Sequence, residues 1–219
     1  MTKSVRKPIS ATTFAANSFL TEIGSEVRIK PGIPHVDSKL ELEAYIRRTG
    51  PAAVILGPAS FMDKIGMNFF PIKKGKVRGF VDADAKVPFV ACRDIGRAAA
   101  GVLEDFPRHA GKRYNLISGV YSGLDICATL SRLRHGETFR WSAPPRLLMR
   151  LFAKEFYKMR LAFETMGRPP FPHSFDEALQ TTTALVGQPT TLEQYLRGKR
   201  LLGTGVCQGT KRQICRETL

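Results

Sequence analysis

The sequence predicts an α/β protein, because segments with helix signals and short apolar segments alternate from Ser38 to Trp141. Two local patterns support this fold class. A serine or threonine repeatedly precedes an acidic residue by three positions, which is typical of helix starts. The run Ala53–Leu56 is continuously apolar, as expected for a strand of a parallel sheet that is covered on both faces. A helix that leads directly into this strand predicts half of a βαβ unit.

Each helix and strand is predicted from local signals. The first helix is expected over Ser38–Thr49, because Gly50 and Pro51 end it. The pairs that mark helix starts are Ser38 with Glu41, Ser122 with Asp125, Ser174 with Glu177, and Thr190 with Glu193. The further predicted elements are strands at 53–56, 87–91, 114–117 and 138–141, a helix at 95–104 with Asp94 as its cap, a helix at 122–134, a long helix at 144–165 and two short final helices.

The chain of 219 residues is long enough for one domain, which we expect over residues 32–197. Residues 1–31 are predicted to form a basic or irregular segment, and residues 198–219 a basic, disordered tail. No stretch approaches about 18 consecutive apolar residues, so no membrane partner is expected. We therefore expect a cytoplasmic protein, and the basic composition of residues 1–24 leaves mitochondrial targeting as an alternative.

The net charge of +15 is concentrated near the ends of the chain. Residues 1–34 carry five basic and two acidic side chains, and residues 197–219 carry six and one. The central part is therefore only moderately basic. The basic run Lys73–Arg78 lacks interleaved aromatic residues for base stacking, so we interpret it as a solvated loop rather than a nucleic-acid site.

The cysteines are widely separated and form no C-x-x-C pair. They are Cys92, Cys127, Cys207 and Cys215. This spacing predicts neither a disulfide framework nor a zinc site, and no metal site is expected. The thiols are therefore predicted to be buried or free in a reducing compartment.

The most informative segment contains His35 and Lys39, which are four residues apart. On a helix this spacing stacks an imidazole and an ammonium on one face. An imidazole titrates near neutrality and can act as a general acid. Two alternatives stay open at this point: Lys39 is an exposed residue paired with Glu43, and His35 only orders the start of the helix.

Several separated segments together resemble the NmrA-like family, an atypical group of the short-chain dehydrogenase/reductase superfamily. The resemblance extends from about Gly32 to Arg197, and the order and spacing of the segments carry it. The segments are His35–Glu43, Pro58–Met62, Val90–Ala99, Gly111–Leu116 and Thr190–Leu196.

The resemblance implies a Rossmann-like fold that binds NADP or NAD, and it assigns roles to two residues. Short-chain dehydrogenases carry a Tyr-x-x-x-Lys motif, and here His35 stands at the tyrosine position as the implied proton donor. Lys39 is the implied catalytic lysine and a contact to the nicotinamide ribose.

The turn after the strand 53–56 is implied to lie beside the nicotinamide, with Pro58, Ser60 and Phe61 as cofactor contacts. The carboxyl edge of an open α/β sheet is also where such folds bind ligands. The alternative is a structural turn anchored by buried Phe61 and Met62. The family often has arginine before the proline, whereas this chain has Gly57.

A dinucleotide site of this class needs a Gly-rich turn between its first strand and the following helix. No such turn precedes His35, and the glycine pattern from Gly203 to Gly209 follows no convincing strand. The expectation is therefore an N-terminally truncated, C-terminal part of a Rossmann-like fold that lacks the first strands and the Gly-rich loop. The strand 53–56 would then expose an edge through which oligomers could form.

We therefore expect an NAD(P)-binding protein of oxidoreductase type that acts on a small organic substrate, with impaired cofactor binding if the chain is truncated. A mostly helical region, including the long helix from Pro145 and the segment Phe171–Ser174, would cover the substrate. The alternative function is that of a non-catalytic, redox-sensing transcriptional or regulatory protein that binds a protein partner.

Overall fold

The structure, a computed structural model, describes residues 12–15, 22–23, 27–28, 32–49, 52–67, 69–166 and 172–199. The predicted tail beyond residue 199, with its glycine pattern and two cysteines, lies outside these ranges, as does Phe171. Within the described ranges helices alternate with strands, several of them parallel, and this confirms the α/β class.

The central sheet is parallel, and its strands follow the order β1, β4, β9. Thr12 of β1 (Thr12–Ala15) pairs with Ala53 of β4 (Ala53–Pro58), and Ile55 of β4 pairs with Arg113 of β9 (Arg113–Leu116). The prediction that the strand 53–56 exposes an edge is therefore wrong, because β1 pairs with that edge. The other strands are β2 Glu22–Ile23, β3 Val27–Arg28, β5 Ser60–Phe61, β6 Ile72–Lys73, β7 Lys76–Arg78, β8 Val87–Val90, β10 Gly119–Tyr121 and β11 Arg140–Ser142.

Helices cover the central sheet. On one face, Val54 and Leu56 of β4 form a buried cluster with Ala98 and Val102 of α2 and Ala178 of α7. Because side chains alternate along a strand, residues 55 and 57 point to the other face. The helices are α1 Pro34–Thr49, α2 Cys92–Glu104, α3 Phe106–His109, α4 Gly123–Leu133, α5 Arg146–Phe152, α6 Lys154–Met166, α7 Pro172–Val186 and α8 Leu192–Gly198.

A second buried cluster lies beyond the carboxyl end of β4. It joins the start of α1 to the segment after β5 and to residues of α6 and α8, including Val36, Met62, Met159 and Leu196. The small sheets β10-β8-β5 and β11-β7-β6 frame this cluster. The cluster includes Phe70, whose ring centroid lies 5.7 Å from those of both Phe80 and Phe89.

Some predicted boundaries hold and others shift for identifiable reasons. The pair Ser122 and Asp125 forms the predicted capping box: the Asp125 amide donates to the Ser122 hydroxyl at 3.1 Å and the Ser122 amide donates to the carboxylate at 2.7 Å. The last capping box uses Thr191 and Gln194, one residue after the predicted pair. The side chain of Ser174 lies outside the described residues, and α7 begins two residues before it.

Three predicted helices are wrong in detail. α1 begins at Pro34, whose fixed φ suits a first turn, so Ser38 lies inside the helix rather than at its cap. α2 begins at Cys92, so Asp94 lies in its first turn and does not cap it. The long helix at 144–165 is broken at Ala153, whose φ of −141° is not helical. The break lets Met149 of α5 and Met159 of α6 enter the same buried cluster.

Candidate functional site

The structure brings the two predicted site segments together. Val36, which lies between His35 and Lys39 in the first turns of α1, and Met62, which follows Phe61, are both fully buried in one cluster. The side chain of Lys39 is half-buried, and that of His35 lies outside the described residues. The start of α1 and the turn after β4 therefore border the same region.

The turn Pro58–Phe61 follows the carboxyl end of β4 and is held on two sides. The Ala59 amide donates to the Leu116 carbonyl at 3.0 Å, at the carboxyl end of β9. Ser60 and Phe61 then pair with β8 in a parallel arrangement, and both side chains are half-buried. The turn thus lies at the sheet edge where open α/β folds bind ligands.

Phe61 also has a structural contact. The Lys64 ammonium lies 5.3 Å from the centre of the Phe61 ring and 4.2 Å from that of Phe69, which are cation–π distances. Burial lowers the pKa of Lys64. Met62 is fully buried and anchors the turn to the core. Ser60 and Phe61 stay partly accessible to solvent.

Further along α1, Glu43 is only 1% exposed and forms an ion pair with Arg113 of β9, Nε to Oε2 at 3.1 Å. Glu43 is therefore not the surface partner of Lys39 that the four-residue spacing offered as an alternative. A Cβ atom at Gly57 would lie 2.8 Å from Nη2 of Arg113. The space beside Gly57 is thus filled by a guanidinium from the neighbouring strand.

A buried network that the sequence did not predict lies behind the carboxyl ends of the strands. Asp94 is fully buried, and its Oδ2 accepts hydrogen bonds from the Ser118 hydroxyl at 2.6 Å and the Thr190 amide at 2.7 Å. The Ser118 hydroxyl in turn accepts from the Ala91 amide at 3.1 Å. The only sequence signal for this network is Asp94 itself, whose position just before the predicted helix 95–104 indicates a cap and not a buried hydrogen-bond centre.

A cavity of about 390 Å³ is lined in part by the segment after Phe61. Its lining includes Asp63, Cys92, Tyr195 and Lys199, and the Lys199 ammonium donates to the Asp63 carbonyl at 2.8 Å. Burial, together with the hydrogen bond and charge of Asp63, raises the pKa of the Cys92 thiol to about 11. This shift disfavours the thiolate, which is the nucleophilic form, at neutral pH.

The family of the chain follows from a comparison with known protein families. The sequence profile of the NmrA-like family matches residues 16–196, and the chain belongs to that family. No match was found among curated proteins. Among the helices of the described residues, none is both long enough and apolar enough to cross a membrane.

Solved structures share the fold at low sequence identity. The chain is 15% identical to NmrA, a negative transcriptional regulator solved with NAD, with a TM-score of 0.61 over 85% of this chain and 63% of that chain. It is 17% identical to an NADPH-dependent quinone oxidoreductase of Escherichia coli solved with NADPH, with a TM-score of 0.61 over 86% and 64%. It is 18% identical to the NADP(H)-bound triphenylmethane reductase of Citrobacter sp., with a TM-score of 0.60 over 86% and 64%.

The chain therefore spans just under two thirds of the length of the structures that it matches. The relatives include both a regulator and reductases, and their shared fold agrees with the Rossmann-like architecture expected from the sequence.

Proposed function

We propose that the chain is an NAD(P)-binding protein of oxidoreductase type that acts on a small organic substrate. The observation that carries this proposal is that Val36 of α1 and Met62, which follows the turn after β4, belong to one buried cluster. The half-buried Lys39 and Phe61, which are close in sequence to these two residues, would then lie at the edge of a parallel sheet where open α/β folds bind ligands.

The residues at this edge fit a nicotinamide nucleoside. The Lys39 ammonium can donate hydrogen bonds to ribose hydroxyls, and the half-buried Phe61 offers apolar surface to a planar ring, whereas Pro58 is buried and can only shape the turn. Ser60 provides a hydroxyl beside them. His35 is proposed as the group that gives a proton to the substrate, since imidazole is a suitable acid near neutral pH. A bound nicotinamide would supply the hydride.

We further propose that dinucleotide affinity is weak. A dinucleotide site of this class holds the pyrophosphate at a helix start behind a Gly-rich turn, and the sequence shows no such turn in the right context. The nicotinamide and its ribose then supply most of the binding energy. The reduced mononucleotide, which has no second nucleotide, should bind nearly as well as NADPH.

Titration calorimetry with NADPH and reduced nicotinamide mononucleotide tests this proposal. We expect affinities for the two nucleotides within about threefold of each other, and a loss of about tenfold or more for both in Lys39→Ala, the effect of removing a charged hydrogen-bond donor. Lys154→Ala, at an exposed lysine that starts α6, is the matched control and should bind like the wild type. Equal binding by Lys39→Ala would refute the role of this residue.

A regulatory function is favoured by a different observation. α5 exposes an apolar face on which Leu147, Leu151 and Phe152 are 67%, 60% and 80% exposed. Contiguous apolar surface of this kind is typical of a protein interface. A turnover screen with NADPH and quinone or carbonyl substrates separates the functions: turnover that is lost in Lys39→Ala supports the enzyme, whereas nucleotide binding without turnover supports the regulator.

A further inference from the structure

Gly57 and Arg113 occupy one small region on the face of the sheet that α1 covers. Gly57 pairs with Asn115 of β9, and Arg113 lies two residues before Asn115 on the same face. A Cβ atom at Gly57 would lie 2.8 Å from Arg113 Nη2 and 2.9 Å from the Asn115 amide oxygen. The absence of a side chain at position 57 is what admits the guanidinium.

The guanidinium links the sheet to α1. Arg113 Nε donates to Glu43 Oε2 at 3.1 Å, and Nη1 donates to the Asn115 amide oxygen. The side chains of Arg113 and Glu43 are 6% and 1% exposed, so the pair is shielded from solvent. An ion pair that is buried in this way has defined geometry, and breaking it leaves an uncompensated charge.

Glu43 lies four residues after Lys39, on the same side of α1. Four residues span about 6 Å of helix, so a fixed Glu43 determines the rotation and height of Lys39. α1 leads into β4 and its start shares a cluster with Met62, so Lys39 is nearer than Glu43 to the carboxyl edge of the sheet. Arg113 is the first residue of β9, at the opposite end of that strand.

We propose that Arg113 and Glu43 are positioning residues, which hold α1 against the sheet so that the Lys39 ammonium faces the turn Pro58–Phe61. This inference rests on the proposed function for its consequence, since it is Lys39 that would contact the ribose. We call the ion pair of Arg113 and Glu43, together with Gly57, the clamp, and it does not depend on any ligand. Gly57 is part of it, because a larger residue at position 57 would displace the guanidinium.

The test relocates the guanidinium from β9 to β4. Arg113→Ser removes the guanidinium. The double variant, Gly57→Arg with Arg113→Ser, supplies a guanidinium to the same space from position 57 on the adjacent strand. Gly57→Arg alone places two guanidinium groups in one space. The control is Arg150→Ser, at an exposed arginine of α5.

Hydrogen exchange measured by mass spectrometry reports the clamp without a ligand. In Arg113→Ser and in Gly57→Arg we expect amides of α1 to exchange about tenfold faster, with α4 as an internal reference that does not change. The double variant should return α1 to within about threefold of the wild-type rate. Unchanged α1 exchange in Arg113→Ser, or no recovery in the double variant, would overturn the proposal.

Affinity for reduced nicotinamide mononucleotide, measured on the same proteins, links the clamp to Lys39. It should fall about tenfold in Arg113→Ser and recover in the double variant, while Arg150→Ser binds normally. If Arg113→Ser does not fold, Arg113→Lys replaces it: that variant keeps the charge but loses the planar fork, and a partial increase in α1 exchange is expected. Normal exchange in Arg113→Lys would count against the clamp.

The two proposals fail in different ways. If the wild type binds neither nucleotide but α1 exchange follows the expected pattern, the proposed function is wrong and the clamp stands. If nucleotides bind and Lys39→Ala abolishes binding while Arg113→Ser changes neither exchange nor affinity, the function stands and the clamp is wrong.

Discussion

The carboxylate of Asp94 binds Thr190 through both of its oxygens. Oδ2 accepts from the Thr190 backbone amide at 2.7 Å, and Oδ1 accepts from the Thr190 hydroxyl at 2.9 Å. The same carboxylate also accepts from the Ser118 hydroxyl. One fully buried side chain therefore connects three parts of the chain. They are the first turn of α2, the segment that follows β9, and the segment that precedes α8.

Asp94→Ala should lower the free energy of unfolding by about 3 kcal/mol, because it leaves the buried Ser118 hydroxyl and the half-buried Thr190 donors without their acceptor. Asp94→Asn keeps one acceptor oxygen and should cost less. Urea denaturation checks both values, and Asp84→Ala, at an exposed aspartate, is the control. A loss below about 0.5 kcal/mol for Asp94→Ala, as for an ordinary surface change, would contradict the structural role.

Trp141, the sole tryptophan of the chain, packs between two glycines. A Cβ atom would lie 1.9 Å from its ring at Gly79 and 2.3 Å at Gly123, and its indole Nε1 donates to the Val81 carbonyl at 3.0 Å. Gly123→Ala should therefore destabilise the protein by about 2 kcal/mol through overpacking.

The matched control for Gly123→Ala is a glycine-to-alanine change that should raise the stability of the protein. Gly96 lies inside α2 with open space around its Cα atom, so Gly96→Ala should stabilise the protein by about 0.5 to 1 kcal/mol through helix propensity. Circular dichroism during thermal unfolding measures both. In a Trp141→Phe background the cost of Gly123→Ala should shrink, and an unchanged cost would show that the ring is not its cause.

The sequence predicted the elements whose signals are local. The continuous apolar runs at β4 and β8 and the capping box of Ser122 with Asp125 were found because a few adjacent residues determine them. β1 was missed, because its four residues, Thr-Thr-Phe-Ala, carry no strand boundary signals and their pairing with β4 depends on residues about 40 positions away.

The same limit applies to the candidate site. The spacing of His35 and Lys39 on one helix is a local pattern and could be predicted. Contacts between distant residues could not be predicted. Glu43 and Arg113 are 70 positions apart in the sequence. The reason for a glycine at position 57 is visible only once the Arg113 guanidinium is known to lie beside it. Asp94 illustrates the ambiguity, because an aspartate near a helix start indicates a cap until its partners in other segments are known.

The capping box of α4 should make stability depend on pH in a defined direction. Burial alone would raise the pKa of Asp125, but hydrogen bonds from Lys86 and Ser122 outweigh it and lower the pKa below its ordinary value of 3.8. A carboxyl group with a lowered folded-state pKa stabilises the fold fully above its unfolded-state pKa. That contribution is lost as the pH falls through the lower folded-state value.

Asp125→Asn should therefore cost about 0.5 to 1 kcal/mol at pH 7, a modest value because the side chain is partly exposed. The difference between this variant and the wild type should shrink as the pH falls below 3.8. Urea denaturation at several pH values measures that difference, with the exposed Asp84→Asn as the control. A difference that grows toward acidic pH would show the opposite linkage.

Cys92 should be slow to alkylate although it is partly exposed. Burial first, and then the hydrogen bond and charge of Asp63, raise the pKa of its thiol from 9.0 to about 11. At pH 8 the thiolate fraction is then about 100-fold lower than for an unperturbed thiol, and the reaction with iodoacetamide should slow accordingly.

Peptide mapping by mass spectrometry isolates the rate at Cys92 from those of Cys207 and Cys215. The rate should rise about tenfold per pH unit from pH 8 to pH 10, since the thiolate is the reactive form. Asp63→Asn removes the charge that opposes ionisation and should accelerate the reaction at pH 8, whereas Asp84→Asn should not. A rate that bends near pH 9 and levels off above about pH 10 would mean that the thiol ionises with its ordinary pKa of 9.0 and that Asp63 does not control it.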